Sequence, residues 1–179
     1  MRCFIAVELP EYIKDILSDV QKKIGNDHAK VHLVAKKNLH LTLQFLGDIE
    51  EEQLKKVQDI LDEVKENKFT VALDQIGWYP HEHKIRVLWV GLKPEQDIFS
   101  LQGEIDLTLG SLFRKDERFS VHLTLGRVKS IKERDTFLSL LNALEIERTE
   151  FLVDSFSLFK SELRHGGPQY TLLKKYTLA

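Results

Sequence analysis

Apolar residues recur along this chain with two periods, and the alternation between them lays out its elements. Residues 2–8 (RCFIAVE) are rich in β-branched and aromatic side chains and predict a strand. After Pro10, the residues Ile13, Ile16, Leu17, Val20 and Ile24 fall on one helical face, and Gly25 ends the pattern. Residues 31–34 and 39–46 predict short strands around a Lys36-Lys37-Asn38 turn. A second helix is predicted from Leu54, Val57, Leu61 and Val64; it opens on Glu50, Glu51 and Glu52, which suit the positive end of a helix dipole. Residues 69–78 and 84–91 predict a hairpin across 79–83, and Pro94 starts a third helix through Ile98, Leu101, Ile105 and Leu109. Residues 119–127 predict a strand, and Phe137, Leu138, Leu141 and Leu144 a fourth helix. Residues 151–159 and 169–177 predict two strands flanking a Gly166-Gly167-Pro168 turn. The regular spacing of a doubly wound parallel sheet is missing, which favours an α+β fold with antiparallel sheets.

Composition narrows the class. The chain has 179 residues, 42% of them hydrophobic, enough for one domain or two small lobes sharing a core. With 26 basic and 28 acidic side chains its net charge is −2, so no global field draws it to nucleic acid, while local basic grooves stay open. Apolar runs fall far short of the ~20 residues of a membrane span, and the N-terminus turns acidic before a signal-peptide core develops. A cytoplasmic protein is expected. A lone Cys3 in an apolar stretch reads as a small buried side chain, which sets aside disulfides and thiolate metal cages.

A repeat changes the picture more than any boundary. Asn38-Leu39-His40-Leu41-Thr42-Leu43 is similar to Ser120-Val121-His122-Leu123-Thr124-Leu125, and the two histidines lie 82 residues apart. The same offset carries Phe69 onto Phe151 and Val71 onto Val153. The chain therefore reads as residues 1–179 in a single domain with an internal duplication, HxTx motifs at 40–43 and 122–125, and two halves facing each other across a shared cleft.

On a strand, residues i and i+2 share a face, so His40 points with Thr42, and His122 with Thr124, while the leucines turn to the core. Two imidazoles with ordinary pKa near 6.5 then confront one site, one able to act as base and the other as acid. The threonine hydroxyls can donate to nonbridging oxygens of a phosphate, and Arg127 adds a charged donor. A single HLTL string is weak, because its letters are common; two in symmetric context point to a shared catalytic site.

With these motifs in view, the chain resembles the 2H phosphoesterase superfamily, named for its two HxTx motifs. It is most similar there to the LigT-type RNA 2′,3′-cyclic phosphodiesterases, also called 2′-5′ RNA ligases. The likeness runs through RCFIAVELP, NLHLTLQFLG, IRVLWVGL, VHLTLGR and LFKSELRHGGPQYTLL, essentially the whole length. The resemblance implies a bilobal α+β fold, with two pseudo-twofold-related halves, antiparallel sheets and outer helices around a central cleft. It implies hydrolysis of RNA 2′,3′-cyclic phosphate ends to 2′-phosphates, with reversible 2′-5′ ligation as the backward reaction, and neither metal nor cofactor. By motif position His40 is then the proton donor, His122 the proton acceptor, and Thr42, Thr124 and Arg127 the phosphate ligands. The implied partners are RNA ends carrying 2′,3′-cyclic phosphate, tRNA fragments among them, met by a monomer that binds no membrane. Two other readings stay open: a noncatalytic RNA-binding module, and a 2H enzyme acting on small cyclic or 2′-5′-linked nucleotides.

Further candidates are weaker. His81 and His83 form an HxH at the hairpin tip that invites a metal, though exposed polar residues collect at such tips. His28 and His32, beside Lys30, Lys36 and Lys37, suggest a phosphate-binding rim, as do Lys160, Arg164 and His165. Trp89, among Val87, Leu88 and Val90, reads as core, whereas Tyr79 near a turn is the better stacking candidate for a base, with Trp78 a further aromatic. The sequence contains no P-loop, GxGxxG, GxSxG or HExxH signature.

Overall fold

A computed structural model describes residues 1–80 and 84–179. In chain order the elements are β1 (Arg2–Glu8), α1 (Glu11–Ile24), β2 (Ala29–Leu33), a 3₁₀ turn (Lys36–Asn38), β3 (His40–Asp48), α2 (Glu51–Leu61), β4 (Phe69–Tyr79), β5 (Val87–Lys93), α3 (Gln96–Leu109), β6 (Leu123–Ile131), α4 (Arg134–Ala143), β7 (Glu150–Val153), β8 (Ser155–Arg164) and β9 (Gly167–Thr177). The fold is α+β, as the mixed periodicity predicts. Gly25, at φ 56°, closes α1 in the left-handed region that favours glycine and returns its N–H to the Gln21 carbonyl. The predicted helix faces are the buried ones: Ile13, Leu17, Val20 and Ile24 on α1, Leu54, Val57 and Leu61 on α2, Ile98, Leu101, Ile105 and Leu109 on α3. Val64 lies beyond the end of α2 yet still packs on the core. Emptying one such position, as in Leu17→Ala, is expected to cost about 2–5 kcal/mol.

The strands join in one antiparallel sheet ordered β7-β4-β5-β6-β3-β1-β8-β9, with β2 added to β6. Because β7 ends at Val153 and β8 begins at Ser155, a single residue, Asp154, links strands distant in that order. The sheet must therefore curl until its two ends approach. This corrects the predicted single strand 151–159, which breaks so that β7 can pair with β4 and β8 with β1. The predicted strand 119–127 is also displaced: β6 starts at Leu123 and runs on to Ile131, because β2 supplies it with a partner out to that residue.

Alternation divides the sheet into two faces. Ile5, Val7, Leu41, Leu43, Leu88, Val90, Leu123 and Leu125 join the helices in one apolar core. The helix-free face carries Phe4, Ala6, His40, Thr42, Trp89 and Thr124, so chemistry-bearing side chains stand opposite the core. Strands β3 and β6 meet at one register position, Leu41 opposite Leu123. At the far edge β4 and β7 pair Thr70 with Leu152. Both pairs join residues separated by the offset seen in the sequence repeat. None of the described helices is long and apolar enough to cross a membrane.

Candidate active site

The site is built around the Leu41–Leu123 contact. Extending that register by one residue sets His40 across from Thr124 and Thr42 across from His122, which gathers both motifs on one patch of the helix-free face. His40 stands on β3, whereas His122 lies just before β6 begins.

Each imidazole is held by backbone two residues upstream. His40 Nδ1 lies 2.6 Å from the Asn38 carbonyl oxygen, and His122 Nδ1 lies 2.9 Å from that of Ser120. A carbonyl only accepts, so both Nδ1 atoms carry the proton and donate, and Nε2 is the nitrogen left to exchange protons. His40 Nε2 is 2.8 Å from Thr42 Oγ1; with the ring neutral, the threonine hydroxyl donates to it. His122 Nδ1 is also 3.1 Å from Ser120 Oγ, and the Tyr79 hydroxyl donates to that oxygen at 3.3 Å.

Aromatic rings wall both histidines. Phe4 and Tyr170 stand 5.1 and 5.4 Å from His40 between ring centroids; Tyr79 and Trp89 stand 5.6 and 6.5 Å from His122. Burial pushes the His40 pKa below its ordinary value; the Asn38 carbonyl partly offsets this, and the charges of Lys14 and His122 push it lower. His122 is also lowered, by burial first, with the Ser120 carbonyl opposing and Arg127 adding to the effect. The Tyr170 phenol is raised by burial and drawn back by Arg127 and Arg2, which places β9 within electrostatic reach of β6 across the cleft.

His40, Thr42, His122 and Thr124 thus come together, with Arg127 on β6 near enough to act on His122. Other candidates fall elsewhere. His28 pairs with Glu133 at 2.9 Å, Lys36 is tied to Asp15 and Glu11, and Lys160 and Arg164 both meet Glu162. Lys160 pairs with Cys3, on the face opposite Phe4, whose partner is Phe159. His32 pairs with Arg127, and Lys37 borders a cavity beside His40. Cys3 is buried and unbridged. His81 and His83 lie outside the described residues.

Trp89 requires correction. It sits on the helix-free face opposite Thr124, its ring 5.0 Å from that of Tyr79, because alternation gives the core to Leu88 and Val90. Gly77 makes room for it: a β-carbon there would come within 2.2 Å of the indole. Sequence reasoning also passed over Phe4, Lys14, Asn38, Ser120 and Tyr170. Phe4 and Tyr170 reach His40 through the register of β1, β8 and β9, for which no local signal exists.

The sequence pattern of the "LigT like Phosphoesterase" family matches the chain twice, over residues 7–89 and 90–170. A protein of Methanothermobacter thermautotrophicus named RNA 2′,3′-cyclic phosphodiesterase is 32% identical to it, over 99% of both chains. One of the same name from Methanocaldococcus jannaschii is 33% identical over 98% of this chain and 100% of its own. The crystal structure of a Thermus thermophilus protein superposes with a TM-score of 0.81 at 29% identity, covering 99% of this chain and 97% of that one.

Proposed function

Because the chain belongs to the family of LigT-like phosphoesterases, we propose that it hydrolyses RNA 2′,3′-cyclic phosphate ends to 2′-phosphates by two-histidine general acid-base catalysis. One observation carries the mechanism: two HxT segments share one face, and each histidine has Nδ1 spent on a backbone carbonyl, which commits Nε2 to the proton transfers. Neutral His122 takes a proton from water as the water oxygen bonds to phosphorus. The bond from phosphorus to the 3′-oxygen breaks, and protonated His40 delivers its Nε2 proton to that oxygen. The products are a terminal 2′-phosphate and a free 3′-hydroxyl. His122 ends protonated and His40 neutral, and exchange with solvent restores both.

Thr42, Thr124 and Arg127 hold the nonbridging oxygens and stabilise the charge that builds there in the transition state. We also read residues 1–179 as one duplicated domain, supported by the pairing of Leu41 with Leu123 and of Thr70 with Leu152 and by the double family match. The test is turnover of an end-labelled oligoribonucleotide that carries a 2′,3′-cyclic phosphate. The expected product resists a 3′-specific phosphatase. A 3′-phosphate product would exchange the leaving oxygens, and no turnover would refute the reading.

A further inference from the structure

Beside His40 lies a cavity of about 310 Å³, bordered by Phe4, Lys14, Lys37, Gln169 and Tyr170. Two cations, Lys14 and Lys37, border it. Lys14, in the first turn of α1, keeps only 14% of its side chain exposed. Its carboxylate partner, Glu11, is 3.7 Å away, largely in solvent and shared with Lys36. Most of the Lys14 side chain is thus covered where it borders the cavity, and Glu11 at that distance holds its ammonium only loosely. Lys36 is neutralised by Asp15, but its neighbour Lys37 has no carboxylate partner among the described residues. Glu8, the acidic residue at this border, accepts a hydrogen bond from Ser157 Oγ at 3.2 Å.

We propose that this cavity is a subsite for the phosphate on the 5′ side of the terminal nucleotide, held by Lys14 and Lys37. The proposal rests on the reading above, in which the 3′-oxygen leaves toward His40. In a ribose the carbon bearing that oxygen adjoins C4′, which leads through C5′ to the 5′-phosphate; the base hangs from C1′, next to the 2′-oxygen. A cavity flanking His40 therefore meets the 5′ arm of the nucleotide. Two lysines suit that anion, and the Phe4 and Tyr170 rings supply an apolar wall for C4′ and C5′. Filling this subsite adds binding that a nucleoside cyclic phosphate with a 5′-hydroxyl cannot make, so the chain selects polynucleotide ends over free cyclic nucleosides.

The test compares kcat/KM for one nucleoside 2′,3′-cyclic phosphate with and without a 5′-phosphate. The wild-type protein should prefer the 5′-phosphorylated compound by about tenfold, the size of one charge-assisted hydrogen bond at a partly exposed site. That ratio should fall toward one in a Lys14→Met, Lys37→Gln double variant. Lys37→Gln alone, at an exposed position, should lower it part way and guards against misfolding of the pair. Equal turnover of both compounds by the wild type overturns the subsite and leaves the proposed activity standing. A preference undiminished in both variants overturns the role of the lysines. Turnover of neither compound overturns the subsite where the same protein still turns over the cyclic-phosphate oligoribonucleotide, and overturns the activity as well where it does not.

Discussion

The two halves of the cleft carry the same motif in different surroundings. His40 sits on a strand, walled by Phe4 and Tyr170, with Lys14 adding positive charge and the Thr42 hydroxyl on its Nε2. His122 precedes its strand, beside Tyr79 and Trp89, with its extra contacts at Nδ1, from Ser120. Burial lowers both pKa values below the ordinary 6.5, so both rings are neutral at rest near pH 7. A base must be neutral, and His122, in the role proposed for it, is ready as it stands. An acid must be protonated; burial first, and Lys14 with it, opposes that in His40 until, in the proposed role, an anionic phosphate arrives to favour its charged form. The repeated motif supplies two like rings, and under the proposed mechanism their neighbours separate the roles: one ring works from its resting state, the other is charged by its own substrate.

The largest effect should come from deleting either ring. His40→Ala and His122→Ala should each lower kcat on a cyclic-phosphate RNA by ~10²- to 10⁴-fold while circular dichroism and thermal melting stay native-like. Near wild-type turnover by either folded variant would remove that histidine from the chemistry.

Next come the threonines, where the halves should part company. Thr42→Val and Thr124→Val each remove a proposed phosphate donor and should cost about 10²-fold in kcat. Thr42→Val also takes the hydroxyl from His40 Nε2, so it alone should move the His40 limb of the pH profile. Identical shifts in both variants would contradict the asymmetry.

The pH profile itself should show a moderate displacement. Under the proposed mechanism activity should fall on the acid side as His122 becomes protonated and on the alkaline side as His40 loses its proton. With both values lowered, kcat/KM should peak below pH 6.5, and the alkaline limb of kcat should lie higher once bound phosphate favours protonated His40. A kcat/KM plateau unchanged up to about pH 8 would be inconsistent with a lowered His40.

Smallest of all, Tyr79→Phe and Ser120→Ala should change kcat by only about 2- to 5-fold, since the Ser120 carbonyl keeps its hold on Nδ1. The change should fall on the His122 limb. A shift of the His40 limb instead would mean that the two halves are not separable.

What the sequence made legible follows from range. His40 with Thr42, and His122 with Thr124, could be read because a strand's period of two is local, and their repetition turned a weak string into a pair. The helix faces were legible for the same reason. Trp89 was misread because an apolar run around it, Val87, Leu88 and Val90, looks alike whether one face or both are buried; only pairing with Thr124 shows which way the indole turns. The break at Asp154 was hidden because nothing local says that its two sides join opposite ends of a curled sheet. Tyr170 was out of reach, since its place beside His40 depends on β1 and β8 lying between β3 and β9. Asn38 and Ser120 hold the rings through their carbonyl oxygens, which every residue possesses, so that contact carried no signal; only the Ser120 hydroxyl beside His122 Nδ1 depends on the residue's identity.

The division of labour between the histidines is tested most directly by replacing the bridging 3′-oxygen of the cyclic phosphate with sulfur. A thiolate departs readily without a proton, whereas the attacking water still has to be deprotonated. On a sulfur substrate that the wild-type protein turns over, His40→Ala should recover much of its lost rate and His122→Ala should remain impaired. The opposite pattern would exchange acid and base, and equal recovery in both variants would contradict the assignment of either ring as proton donor to the leaving oxygen.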